Sequence, residues 1–141
     1  MEAVKTLITV EADIKAPVEK VWKCWSSPED IKQWNSASPD WHTPFAENDL
    51  RTGGKFLSRM EAKDGSVGFD FGGVYDEVIT HKRISYTMGD GRKVTVDFLP
   101  EGNSTKVVEK FEAESVNSVE LQRGGWQSIL NNFKNYVESQ G

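Results

Sequence analysis

The stretch NSVELQRGGWQSILNNFKNYVES, residues 117–139, carries the longest helical pattern in the chain. Val119, Trp126, Ile129, Leu130, Phe133, Tyr136 and Val137 recur at helical spacing and make one broad apolar stripe. About twenty helical residues span roughly 30 Å, enough to cross a whole sheet. Asn117 with Glu120 three positions on matches a capping box at its start. Gly124-Gly125 falls inside the pattern, where each glycine costs about 1 kcal/mol of helix propensity. The pair predicts either a kink or a close neighbour to the helix backbone.

Upstream of this helix, residues 45–115 have the texture of strands and turns. Gly53-Gly54, Asp64-Gly65, Asp90-Gly91 and Glu101-Gly102-Asn103 separate strand-length runs at 55–62, 67–79, 83–88, 92–99 and 104–114. The short connections allow only antiparallel neighbours. Gly72-Gly73 interrupts the second run and predicts a β-bulge or sharp bend. At the other end, residues 4–14 alternate, with Ile8, Val10, Ala12 and Ile14 on one face. Pro17 then opens a short helix carrying Val18, Val21, Trp22 and Trp25, and Ser27-Pro28 opens a second with Ile31 and Trp34 inward. Asn35 to Pro44, rich in Ser, Asn and Pro, is expected to be a loop ending in Trp41-His42. The expected fold is a single α+β domain over residues 1–141: one strand, two short helices, an antiparallel meander and one long helix.

The totals agree with one such domain. At 141 residues, a chain buries roughly two-thirds of its unfolded surface and needs no metal or disulfide to fold. Five Trp, three Tyr and seven Phe supply a large core or a lined cavity. A net charge of −5 with scattered basic residues argues against nucleic-acid binding, which needs a basic face. Cys24 is the single cysteine, so no internal disulfide forms. No run is apolar enough to span a bilayer, and the N-terminus lacks a signal-peptide pattern. The expectation is a cytoplasmic protein without integral membrane association.

Several blocks in order resemble the activator of heat-shock protein 90 ATPase homologue-like family, within the START and birch-pollen-allergen-like superfamily. They are Ile14-Lys15-Ala16-Pro17-Val18-Glu19-Lys20-Val21-Trp22, then Pro28-Glu29-Asp30-Ile31 with Trp34, then Asp49-Leu50-Arg51-Thr52-Gly53-Gly54-Lys55-Phe56. Gly73-Val74-Tyr75-Asp76-Glu77-Val78, Arg83-Ile84-Ser85-Tyr86-Thr87 and Gly125-Trp126 follow. The resemblance runs from about residue 8 to residue 137. It implies a helix-grip fold, in which a curved antiparallel sheet wraps the C-terminal helix and a cavity lies between them. It also implies one of three roles: binding a small apolar molecule, contacting a chaperone or other protein, or polyketide cyclase- or dehydratase-like catalysis.

The candidate pocket residues follow from which side chains share the inward faces. They are Trp41, Phe56, Met60, Phe69, Phe71, Tyr86, Val96, Phe98, Trp126 and Leu130 as walls, with Glu109, Arg123 and Gln127 as polar groups. Glu109 shares a strand face with Thr105, Val107, Phe111 and Ala113, opposite Lys106, Lys110 and Glu112. It is therefore expected inside, paired with a cation such as Arg123, because buried acids are rare unless paired. An enzyme would need an acid–base group in the cavity, for which Glu109, His42 and Tyr86 are the candidates. His42 and His81 are otherwise structural or surface residues. No HxxH, HExxH or CxxC spacing points to a metal, and nothing in the sequence calls for a cofactor.

Overall fold

The computed structural model describes residues 6–36 and 39–139. Val4 and Lys5 of the predicted first strand, and positions 37–38 of the predicted loop, lie outside the described residues. The elements are β1 (Leu7–Ile14), α1 (Val18–Ser26), α2 (Pro28–Trp34), β2 (Trp41–Asn48), β3 (Lys55–Ala62), β4 (Gly68–Ile79), β5 (Arg83–Met88), β6 (Lys93–Glu101), β7 (Ser104–Glu112) and α3 (Val119–Ser139). Seven strands form one antiparallel sheet in the order β1-β7-β6-β5-β4-β3-β2. From β2 to β7 every connection is a hairpin between neighbours. The one long connection, through α1 and α2, carries the chain from the β1 edge to the β2 edge.

The alternation in β1 is strict. Ile8, Val10, Ala12 and Ile14 are buried while the residues between them are exposed. The same inward face continues across the sheet through Val107 and Phe111, then Val94, Val96 and Phe98, then Ile84, Tyr86 and Met88. α3 lies over this half, presenting Leu130, Phe133 and Val137, all at most 1% exposed. Its polar edge is tied to β1: Lys134 Nζ donates to the Asp13 carbonyl at 2.8 Å and Gln127 Nε2 to the Glu11 carbonyl at 3.1 Å. α1 and α2 close one end. There Trp25 and Trp34 set their ring planes steeply against Phe133, with centroids 5.0 and 4.8 Å away.

Four details depart from the sequence expectations. The predicted loop at 35–44 gives way to an edge strand, since Trp41 and His42 open β2 and pair with Ala62 and Glu61 of β3. Pro44 hides this strand from the sequence, yet it sits in an edge strand beside the register shift between His42 and Phe45, where a missing N–H is tolerated. Second, the register runs unbroken through Gly72 and Gly73, and the irregularity against β5 falls between Tyr75 and Glu77. The glycines instead permit close strand contact: a Cβ on Gly73 would stand 2.4 Å from the Thr87 carbonyl oxygen, and one on Gly72 2.8 Å from that of Phe56.

Third, the residue capping α3 is Ser118, one place beyond Asn117, with Leu121 N–H donating to Ser118 Oγ at 3.1 Å. Asn117 N–H is held by Glu114 Oε1 at 2.6 Å instead. Fourth, α3 runs unbroken from Val119 to Ser139, and no atom would come within 4 Å of a Cβ on Gly124 or Gly125. Open space borders the helix at the pair rather than a close neighbour.

Candidate functional site

Beneath α3 the sheet is solidly packed along β1 and β6, and the packing opens toward β3 and β4. Burial falls along β3 and β4, where Phe56 and Phe71 are only partly covered and Phe69 remains 48% exposed. The sheet curls away from α3 here, and a cavity of about 270 Å³ opens between them. Phe56, Ser58 and Met60 of β3 and Phe69 and Phe71 of β4 wall one side, with Trp126, Ile129 and Leu130 of α3 opposite. Ile31 and Trp34 of α2 and Trp25 of α1 close the end. The aromatic walls brace one another: Phe56 meets Tyr86 edge-on at 4.8 Å, and Trp126 stacks on Phe111 at 3.8 Å.

Glu109 of β7 lines this cavity and is 6% exposed. Its cross-strand neighbours are Val10 and Val96, both apolar. The expected ion pair with Arg123 does not form. Arg123 stands in the first turns of α3 and pairs along its own helix with Glu120 at 2.6 Å. Among the described residues no hydrogen bond or ion pair reaches the Glu109 carboxyl, and burial pushes its pKa up to about 8. Tyr86 and Ser58, 6% and 5% exposed, are likewise without side-chain hydrogen bonds. No fully occluded side-chain oxygen among the described residues lacks a partner. The oxygens of these three residues therefore border the open space of the cavity.

Burial raises the Tyr86 phenol well above its ordinary value, with a further rise from Glu109 and an opposing pull from Arg92. Arg92 lines the same cavity, and its guanidinium binds Asp90 Oδ2 at 2.7 Å and the Glu112 carbonyl at 3.3 Å. At the β2 side, Tyr75 Oη donates to Asn48 Oδ1, and Asn48 Nδ2 donates to the Ser26 carbonyl at 2.6 Å. This chain fastens β4, β2 and α1 together beside the cavity.

Of the residues singled out from sequence, Phe56, Met60, Phe69, Phe71, Tyr86, Glu109, Trp126 and Leu130 line the cavity. Val96 and Phe98 are buried in the solid half of the core, where Phe98 meets Trp22 at 5.1 Å. Trp41 stands outside, its ring 5.9 Å from Phe69. Arg123 and Gln127 occupy the outer edge of α3, Gln127 reaching Glu11 and Asn131. His42 is exposed, 3.8 Å from Glu61, and His81 occupies a left-handed turn position with φ 64°. Sequence reasoning did not place Trp25, Ile31, Trp34, Tyr75 and Arg92 at the cavity. The helical spacing marks the first three as inward without distinguishing core from cavity wall.

The family model for the activator of Hsp90 ATPase homolog 1-like protein matches residues 15–138. The chain belongs to this family. The solution structure of the AHSA1-like protein from Aeromonas hydrophila is 47% identical, with a TM-score of 0.91 over 96% of this chain and 94% of that one. A protein from Cytophaga hutchinsonii is 55% identical, with a TM-score of 0.82 over 94% and 92%. A protein from Nitrosomonas europaea, 20% identical with a TM-score of 0.81 over 95% of each chain, shares the fold. No curated protein matches the chain significantly. Membership accounts for the helix-grip arrangement, and it is compatible with both ligand-binding and co-chaperone roles in this family. Among the described residues, no helix is long and apolar enough to cross a membrane.

Proposed function

We propose that the protein binds a small apolar, aromatic molecule in the cavity between α3 and the β3–β4–β5 part of the sheet. The observation that carries this reading is the cavity itself: aromatic walls around about 270 Å³ of space, with a few inward polar groups. Interiors are packed to crystal-like density, so an apolar cleft of this size among aromatic side chains has the character of a ligand pocket rather than of filled core. An apolar cavity of roughly 150 Å³ takes one benzene ring, so this one suits a molecule of about two rings. Aromatic side chains stiffened by each other suit a flat ligand, because little side-chain freedom is lost on binding.

Native mass spectrometry of the protein purified from its own host tests the reading. The expected result is a reproducible mass above that of the chain, released on denaturation. Ser58→Phe fills the cavity without removing a core contact and should abolish that mass, as should Trp126→Ala. A protein that is always empty, and whose Ser58→Phe variant takes up an apolar fluorescent probe as well as the parent, contradicts the proposal. The search then moves to protein partners.

A further inference from the structure

Resting on the binding reading above, we infer that the ligand presents a neutral acceptor oxygen of the carbonyl kind from an apolar ring body, and that Glu109 and Tyr86 donate hydrogen bonds to it. Three polar side chains, Glu109, Tyr86 and Ser58, are each at least nine-tenths buried and face this one cavity without a protein partner. Buried polar groups are nearly always hydrogen-bonded, and leaving one unmade is costly. Three in one apolar cavity make a polar site whose counterpart comes from outside the chain.

The charges decide which counterpart fits. Burial pushes the Glu109 pKa up to about 8, so near neutral pH it holds its proton and donates. The Tyr86 hydroxyl, raised by burial, donates as well, and the positive charge of Arg92 favours an electron-rich oxygen beside it. An ammonium ligand would require Glu109 to ionise and would set a second cation near Arg92. A ligand carboxylate would bring another charge that must be desolvated beside Glu109. A neutral oxygen demands neither. A protonated carboxylic acid and a tyrosine holding one oxygen in an apolar site is an established chemical solution.

The other groups facing Glu109 leave this balance intact. β1 and β6 present Val10 and Val96 to it. α2 and α3 bring Ile31, Trp34, Trp126, Ile129 and Leu130 to the cavity, none of them titratable. Tyr75 is engaged with Asn48, and Glu47 lines the cavity from an exposed position on β2.

Calorimetric titration with two probes of matched shape, 2-acetylnaphthalene and 2-ethylnaphthalene, tests the inference. At about pH 6 the ketone should bind about tenfold more tightly, because the hydrocarbon leaves the donors unmet. At about pH 9 Glu109 is ionised and the advantage should shrink to what the still-protonated Tyr86 hydroxyl supplies. Glu109→Gln keeps a donor that does not titrate, so it should retain the advantage at both pH values, while Tyr86→Phe should reduce it. Equal affinity for the two probes overturns the inference and leaves the binding reading standing. So does tighter binding of 2-(2-aminoethyl)naphthalene than of the ketone. If none of the probes binds, the binding reading falls, and the inference with it.

Discussion

Glu109→Gln should stabilise the protein at neutral and alkaline pH, and the gain should grow as pH rises. In the unfolded chain this carboxyl ionises near its ordinary value of 4.5, and in the folded chain at about 8. Between those values the folded state holds a proton that the unfolded state has released. Stability therefore falls as pH climbs through this window and levels off above it. Each unit traversed costs about 1.4 kcal/mol, so the penalty reaches a few kcal/mol, a large share of a typical domain's stability. Urea unfolding at about pH 5, 7 and 9 checks this through the midpoint, which tracks stability at constant slope. The parent should lose stability across the series relative to Glu109→Gln, and the two should approach each other at the acid end. Parallel pH profiles would mean that the carboxyl is solvated or paired in solution.

Phe133→Ala should be among the most damaging substitutions in the chain. Phe133 is fully buried, and it joins α3 to both short helices through Trp25 and Trp34. Truncating a buried Phe costs about 3–5 kcal/mol through lost transfer energy and the residual void. The lost edge-to-face ring contacts are part of what holds the closed end of the cavity. The expected readout is a lowered urea midpoint together with altered tryptophan emission from Trp25 and Trp34. A loss below about 1 kcal/mol would show that α3 is not anchored through this cluster.

The contrast between these two residues explains what was legible in the sequence. Phe133 sits in a long helical pattern and Glu109 in a strict strand alternation, so both were placed inward from spacing alone. Strand β2 was not, because its burial is irregular around the register shift and Pro44 reads as a strand breaker. The missing partner of Glu109 was also invisible. Arg123 is on the right helix, but it turns to Glu120 one helical turn away, a choice made by local geometry. Core and cavity wall share one pattern as well: Phe98 and Phe71 both alternate inward. Only the curl of the sheet decides that Phe98 packs against Trp22 and Trp25 while Phe71 faces open space. That curl is a tertiary property with no local signature.

The expected stability cost of this carboxyl fits a group placed for binding rather than for folding. Functional sites commonly hold groups that the fold alone would replace, at a cost in stability. The pH-dependent penalty at Glu109 and the acceptor preference proposed for the ligand are two consequences of the same desolvation.

The central claim is that the space between α3 and the curled half of the sheet receives an apolar aromatic ligand. An NMR titration of the labelled protein with 2-ethylnaphthalene tests it most directly, with the indole N–H of Trp126 and the aromatic protons of Phe56 and Phe71 as reporters. The account predicts saturable shifts concentrated on these residues and on Ile129, with contacts from ligand protons to the Trp126 ring. Shifts confined to the exposed outer face, around Leu99 or Ile79, or no saturable shifts at all, would contradict it.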